Sequence, residues 1–210
     1  MAAGHFGRVD REIARPKGWF NRGRALDGPS SDMDAGNLSL LISRQEISSA
    51  VRRLAALIRR DYGNRCPLLL GVLKGSFVFL ADLVRETDIP LTVDFIRARS
   101  YDGTTSTGTI AGSSLPEARL SGRHVLLVED IVDTGITASH LIHQLEAHGP
   151  ASLKLCALLD KPTARVVPVQ IDYLGLTVSE GFVVGYGLDF NQRYRYLPDI
   201  YFLKEPQNGP

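Results

Sequence analysis

Residues 125–137 read Val-Leu-Leu-Val-Glu-Asp-Ile-Val-Asp-Thr-Gly-Ile-Thr, and this stretch decides the fold. The apolar run from His124 to Val128 is typical of a strand that is buried on both faces. A helical pattern follows from Ile136 to Ala147, with Gly149 as its stop. Because ligands of open α/β sheets bind beyond the carboxyl ends of the strands, the residues between strand and helix are candidates for a binding site.

The residues in that turn combine two kinds of binding group. Gly135 permits a tight turn, and the amides of about Thr134 to Thr137 lie at a helix N-terminus, where free N–H groups and the helix dipole favour an anion. Glu129 and Asp130 offer oxygen acceptors for sugar hydroxyls or for a hydrated Mg²⁺. Phosphate-binding amides beside hydroxyl-binding acids indicate a sugar-phosphate site.

A purely structural interpretation of the same residues is available. Asp133 and Thr134 would cap the helix, and Glu129 and Asp130 would be solvated. Capping explains one polar residue, but it does not explain three neighbouring acids, each of which disfavours the ionisation of the others. We therefore favour the functional interpretation.

The surrounding sequence alternates between strand and helix patterns. Ser43 and Glu46 form a capping box ahead of a helix predicted from Arg44 to Asp61, and a second helix is predicted from Ser76 to Arg85. Strands are predicted at 67–73, 92–99, 152–159, 171–176, 182–184 and 200–203, and residues 38–42 form a short apolar run. This alternation predicts an α/β fold with a mostly parallel sheet flanked by helices.

Composition excludes several classes of protein. The chain has 210 residues with 44% hydrophobic content, which suits one α/β domain. A net charge of +1 gives no case for nucleic-acid binding, and the apolar runs are too short to span a membrane. The pair Cys66 and Cys156 allows at most one disulfide and requires no oxidising compartment, so we expect a cytoplasmic protein.

Two segments lack the pattern of the domain. Residues 1–37 have no apolar periodicity and no apolar signal-peptide core, so we expect a flexible extension before a domain at 38–210, with Met33 as an alternative start. The polar stretch from Ser100 to about Arg123 is long for a loop in a compact domain. It predicts a mobile lid, a β-hairpin arm at 107–110, or both.

Residues 128–137 resemble the phosphoribosyl-pyrophosphate (PRPP) motif of the type I phosphoribosyltransferases, and the chain from about Leu38 to Pro206 resembles their hypoxanthine-guanine branch. Residues 72–76 (Val-Leu-Lys-Gly-Ser) resemble the pyrophosphate loop of that family. Residues 158–162 (Leu-Leu-Asp-Lys-Pro) resemble its purine-contact segment, and residues 182–195 resemble its small hood subdomain. Ser100 and Tyr101 stand where the family has the Ser-Tyr of its flexible loop.

The resemblance implies the type I phosphoribosyltransferase fold and a purine-salvage reaction. PRPP and hypoxanthine or guanine would give IMP or GMP and pyrophosphate, with Mg²⁺ as cofactor and a homodimer or homotetramer as the assembly. Asp133 would be the catalytic group near purine N7. The resemblance further implies that PRPP and its phosphates are bound by Glu129, Asp130, Thr134, Gly135, Ile136, Thr137, Lys74, Gly75 and Arg195.

The purine and metal contacts are implied in the same way. Lys161 would donate to the 6-oxo group, because an ammonium has donors only and so favours a carbonyl over the 6-amino group of adenine. Phe182 would stack on the base, Val183 would meet it through its backbone, and Asp189 would lie in the purine site. Mg²⁺ would be held by Glu129, Asp130 and Asp189. The family also places a cis peptide bond between Leu73 and Lys74.

Alternatives remain open at this point. The first is a paralogue that prefers xanthine or uses all three oxopurines. The second is a PRPP-sensing regulator without activity, although Asp133 and Lys161 are both present. The Lys-Gly-Ser at 74–76 lacks the spacing of a nucleotide P-loop, so an NTPase is rejected. His140 and His143 have a possible metal spacing on one helix but no third ligand nearby in the sequence, so we assign no zinc.

Overall fold

The computed structural model describes residues 37–97, 118–179 and 181–204. The extension at 1–36 with Met33, the flexible-loop residues Ser100 and Tyr101, and the hairpin arm at 107–110 lie outside the described residues. In chain order the elements are β1 (Leu38–Ile42), α1 (Arg44–Tyr62), β2 (Leu68–Leu73), α2 (Phe77–Thr87), β3 (Thr92–Arg97), β4 (His124–Val132), α3 (Ile136–Glu146), β5 (Ser152–Asp160), β6 (Tyr173–Thr177), β7 (Phe182–Val184) and β8 (Ile200–Leu203).

Five strands form a parallel sheet in the order β3-β2-β4-β5-β6. Its central strand is β4, the strand predicted from the deciding stretch. Side chains alternate between the two faces: Leu69 packs in the core that contains α1 and α2, whereas Leu68 and Leu70 pack in the core that contains α3. Burial on both faces explains why these strands are apolar without alternation. The predicted α/β architecture is confirmed.

The long helix α1 shows how closely local sequence signals match the structure here. Ser43 accepts from the amide of Glu46, and the Glu46 carboxylate accepts from the Ser43 amide at 2.8 Å, which completes the predicted capping box. The apolar stripe that includes Ile47, Val51 and Leu54 is buried against the sheet. The helix thus begins where its cap is and packs on the face that its periodicity indicates.

A second, smaller sheet forms the hood. Strands β1, β8 and β7 pair antiparallel in that order, so the run at 38–42 joins the hood beside strands from the other end of the domain. Asp199, just before β8, accepts from the Arg44 amide at 2.7 Å and from its guanidinium at 3.3 Å. The hood is therefore tied to the N-terminus of α1.

One sequence-based expectation needs correction. Strand β4 does not end at Val128 but continues to Val132, because its partner β5 runs alongside it to Asp160. The one disulfide that the sequence allowed is not formed: both thiols are free, with Cys66 exposed and Cys156 buried inside β5. Across the described ranges, every helix is too short or too polar to cross a membrane.

Candidate active site

Two adjoining cavities lie where the carboxyl ends of β4 and β5 meet the hood. The first, of about 80 Å³, is lined by the end of β4 and the start of α3, including Thr134, Gly135 and Thr137. The second, of about 230 Å³, is lined by Asp130, Lys161, Phe182, Val183 and Asp189, among others. Ile131 and Asp133 line both cavities. The structure thus brings the predicted purine residues and part of the predicted phosphate set together around one exposed aspartate, Asp133, while Ile136, Lys74, Gly75 and Arg195 line neither cavity.

Glu129 and Asp130 divide between the two cavities. Consecutive side chains of a strand point to opposite faces, and Glu129 lines the first cavity whereas Asp130 lines the second. Burial, and then the neighbouring Asp130 charge, raise the pKa of Glu129 well above its ordinary value. Burial likewise raises the pKa of Asp130 to about 6, although backbone hydrogen bonds oppose the shift. The solvated arrangement of the structural interpretation is therefore wrong for Glu129, which is buried.

The loop before α3 enters the helix through a residue that has no capping side chain. Gly135, not Asp133, is the N-cap of α3 and supplies no side-chain cap, while the Thr134 hydroxyl accepts from the Ile136 amide at 3.4 Å. The capping alternative for Asp133 is therefore wrong. Glycine is required at position 135 for two reasons. Its φ of 82° disfavours other residues, and a β-carbon there would collide with the Val167 carbonyl oxygen. Thr134, Gly135 and Thr137 of this turn line an anion-sized cavity at the helix N-terminus, where an anion is favoured.

The predicted pyrophosphate loop lies against the same site. The peptide bond between Leu73 and Lys74 is cis, as the resemblance implied. Gly75 stands against the Asp130 carboxylate, leaving no room for a β-carbon. The exposed Lys74 ammonium donates to the Gln192 side-chain oxygen at 3.0 Å, which links this loop to the hood.

Two predicted residues of the hood are paired with each other. The Arg195 guanidinium and the Asp189 carboxylate form an ion pair at 2.6 Å. Arg195 also donates to the Gly187 carbonyl at 2.7 Å, and Asp189 accepts from the Gln192 amide at 2.9 Å. A pyrophosphate contact by Arg195 therefore has to compete with Asp189 or share the guanidinium with it.

The second cavity has the wall chemistry of an aromatic-base site. Lys161 donates from Nζ to the Gly181 carbonyl at 2.9 Å, which holds the ammonium at the cavity edge. Phe182 is 49% exposed although apolar, and Phe190 meets its ring edge-to-face at 5.4 Å between centroids. Val183 is buried beside them. The partly exposed Phe182 ring thus lines this cavity.

Oxygen donors suited to Mg²⁺ are present, but they do not form a protein-only cage. Among residues 37–97, 118–179 and 181–204, no three His, Cys, Asp or Glu side chains cluster closely enough to hold a metal by themselves. Asp130 and Asp189 do lie close enough for the charge of Asp189 to raise the pKa of Asp130. Mg²⁺ commonly takes one or two carboxylates and completes its shell with water and substrate phosphate, so this donor set fits it.

Arg165, which sequence reasoning missed, contacts the loop that carries Asp133, and its partner Asp160 belongs to the predicted purine-contact segment. Arg165 donates to the Asp133 carbonyl at 3.0 Å and to the Val132 carbonyl at 3.1 Å, and it forms an ion pair with Asp160. No sequence pattern predicts this role for Arg165. Its partners in the loop are backbone carbonyls, which are present at every position.

A larger cavity of about 450 Å³ lies between α3, β5 and residues 168–172. It contains none of the predicted site residues. His143 lines it, whereas His140 is partly buried in the same helix, so the two histidines do not converge on a shared site.

Comparison with known proteins identifies the class to which this site belongs. The phosphoribosyl transferase domain family matches residues 41–191, which span the parallel sheet and both cavities. The fold is that of a type I phosphoribosyltransferase. A relative from Streptococcus pneumoniae, a hypoxanthine-guanine phosphoribosyltransferase, is 44% identical over 79% of this chain and 93% of its own length. The chain belongs to the hypoxanthine-guanine phosphoribosyltransferase family and is a transferase.

Two further similarities agree with this assignment. A hypoxanthine-guanine-xanthine phosphoribosyltransferase from Tritrichomonas foetus is 41% identical over 79% of this chain and 91% of its own. The crystal structure of a hypoxanthine-guanine phosphoribosyltransferase from Bacillus anthracis has a TM-score of 0.74 and 38% identity, covering 80% of this chain and 99% of that one.

Proposed function

We propose that the chain transfers the 5-phosphoribosyl group of PRPP to N9 of hypoxanthine or guanine, giving IMP or GMP and pyrophosphate in purine salvage. The observation that carries this proposal is the position of Asp133, which lines an anion cavity on one side and a base-sized cavity on the other. A sugar that joins a phosphate to a base has to lie across that shared wall.

The first cavity would take the 5′-phosphate. Residues of the turn at 134–137 line it, and the N-cap Gly135 has no side chain to cap the helix. The phosphate would therefore meet the amides of Thr134, Gly135, Ile136 and Thr137. Ile136 is 49% exposed and its side chain adds no charge, so backbone N–H groups and the two hydroxyls would supply the affinity.

The ribose and pyrophosphate would lie between Asp130, the cis-peptide loop and the hood. Asp130 and Glu129 would accept from ribose hydroxyls. The N–H and ammonium groups of Lys74, Gly75 and Arg195 would stabilise the leaving pyrophosphate as negative charge develops on it. Mg²⁺, held by Asp130 and Asp189 with substrate oxygens, would neutralise part of that charge.

The base would lie in the second cavity. Phe182 would stack on it, Val183 would meet it through its backbone, and the Lys161 ammonium would donate to O6. Asp133 would accept the N7 proton, or stabilise it on the base, as N9 attacks the anomeric carbon. The carboxylate is exposed and therefore accessible to a bound base.

A steady-state assay with PRPP, Mg²⁺ and each of hypoxanthine, guanine, xanthine and adenine tests the proposal. We expect nucleotide formation with hypoxanthine and guanine and negligible formation with adenine. Xanthine is the open alternative, because a relative that is 41% identical is named for all three oxopurines. PRPP binding without turnover of any purine would instead identify a PRPP-sensing regulator.

Assembly is proposed from the family resemblance, and location from the cysteine usage. A homodimer or homotetramer is expected, and light scattering of the full chain distinguishes them. Cytoplasmic localisation is likewise a proposal, testable by cell fractionation.

A further inference from the structure

The phosphate loop, residues 132–137, begins with three consecutive carbonyl groups that accept hydrogen bonds from one segment of the chain. We call that segment, residues 160–167, the clasp. Its Lys161 amide donates to the Val132 carbonyl at 3.0 Å, and the amides of Val166 and Val167 donate to the Thr134 carbonyl at 2.9 and 3.0 Å. Between these, the Arg165 guanidinium donates to the Val132 and Asp133 carbonyls at 3.1 and 3.0 Å. The Val132 and Thr134 carbonyls thus accept from backbone N–H groups, whereas the Asp133 carbonyl accepts from the Arg165 side chain.

This arrangement decides where the loop amides point. In a trans peptide the carbonyl of one residue and the N–H of the next point in opposite directions. Because the carbonyls of 132, 133 and 134 face the clasp, the N–H groups of Asp133, Thr134 and Gly135 face away from it. The anion cavity lies on that side, since residues of the loop line it and none of 160–167 does.

The guanidinium is itself held in place. Asp160, at the end of β5, forms an ion pair with Arg165, and each side chain is 17% exposed. The planar guanidinium reaches a carboxylate and two carbonyls from separate nitrogens in a fixed geometry, whereas the three donors of a lysine ammonium all leave one nitrogen. Gly135 packs against the Arg165 side chain as well, with no room for a β-carbon between them.

We propose that Arg165, oriented by Asp160, is a positioning residue that aims the phosphate-loop amides at the 5′-phosphate and sets the place of Asp133. Arg165 touches no substrate in this proposal, which rests on the proposed function. Its contribution is pre-organisation: without the guanidinium the 133–134 peptide is free to rotate, and the loop has to be ordered at each binding event.

The test measures how much the 5′-phosphate contributes to binding. Calorimetry gives the association constants of GMP and of guanosine, and the GMP-to-guanosine ratio of these constants reports the phosphate contribution alone. In Arg165→Met we expect this ratio to fall about tenfold, as loss of charge-assisted hydrogen bonds predicts, and KM for PRPP to rise by a similar factor. Arg165→Lys should recover part of the ratio. Arg52→Met is the matched control, because Arg52 is an exposed arginine that hydrogen-bonds Ser48 and Ser49 in its own helix.

A merely structural role predicts a different pattern. It would lower Tm and the folded fraction of Arg165→Met but leave the GMP-to-guanosine ratio at the wild-type value, and that result would overturn the proposal. Should Arg165→Met not fold, an unchanged ratio in Arg165→Lys would overturn it equally. Wild-type protein that makes no nucleotide and does not distinguish GMP from guanosine would overturn the proposed function itself.

Discussion

Gly75 and Asp130 are packed so closely that a β-carbon on Gly75 would overlap the Asp130 carboxylate. The two residues come from different strands, since Gly75 follows β2 and Asp130 lies within β4, the strand beside it in the sheet. This contact places the cis-peptide loop against Asp130, which lines the second cavity. The shape of the site therefore depends on Gly75 having no side chain.

Gly75→Ala should therefore damage the site without harming the fold. The added methyl has to push the Asp130 carboxylate aside, because the overlap involves a short side chain with little freedom to move. We expect kcat/KM for PRPP to fall about 10²-fold, the effect of displacing a catalytic-site group by about 1 Å. Steady-state kinetics and a thermal melt measure the two effects separately.

Gly122→Ala is the control for that substitution. A β-carbon at Gly122 would meet nothing within 4 Å, although its φ of 72° disfavours alanine. It should lower stability slightly and leave kcat/KM unchanged. Equal activities for Gly75→Ala and the wild type would show that Asp130 can move freely.

Asp133→Asn should lower turnover while leaving PRPP binding nearly intact. The carboxylate acts where the base becomes electron-rich, so its charge matters in the transition state more than in the ground state. Loss of a positioned general base typically costs about 10²–10⁴-fold in kcat. Kinetics at saturating PRPP measure this, with Asp88→Asn as a control because Asp88 is an exposed residue at the end of α2. Near wild-type kcat in Asp133→Asn would remove Asp133 from the reaction.

Lys161→Gln should weaken the preference for 6-oxopurines. A glutamine amide can donate or accept, so it tolerates the adenine 6-amino group that an ammonium rejects. We expect the ratio of kcat/KM for hypoxanthine over adenine to fall at least about tenfold. Competition assays with both bases measure it, and Lys204→Gln, at an exposed lysine after β8, should leave the ratio unchanged. An unaltered ratio in Lys161→Gln would place the 6-oxo contact elsewhere.

Asp199→Asn should reduce stability at neutral pH and flatten its acid dependence. Burial acts to raise the pKa of Asp199, but hydrogen bonds from the Arg44 amide and guanidinium outweigh it, so the pKa lies below its ordinary value. A carboxyl whose pKa is lowered on folding stabilises the protein above its unfolded pKa of about 3.9, and the contribution is lost as pH falls through the folded value.

We expect Asp199→Asn to cost about 1–2 kcal/mol at pH 7, since one partner of the pair, Arg44, is largely solvent-exposed. Urea unfolding at pH 7 and at pH 3 measures it. The difference between wild type and variant should shrink at the lower pH. A constant difference would mean that the charge of Asp199 plays no part.

Much of the fold was predictable because its signals are local. The capping box at Ser43 and Glu46, the apolar stripe of α1 and the unbroken apolar runs of the central strands each depend on residues a few positions apart, and all agree with the structure. The Thr-Gly-x-Thr turn was recognisable for the same reason: its amides, its glycine and its acids are contiguous in the chain.

Other contacts could be known only from the tertiary structure. They join residues that are far apart in sequence, or they involve backbone groups that are the same in every residue. The run at 38–42 pairs with β8, more than 150 residues away, and no local pattern specifies that partner. Arg165 serves the phosphate loop through backbone carbonyls, which every residue carries, so its sequence neighbourhood does not reveal it. The amino-acid sequence determined which chemical groups are available, whereas strand register and close packing determined which of them meet, because those contacts form only when distant segments are buried together.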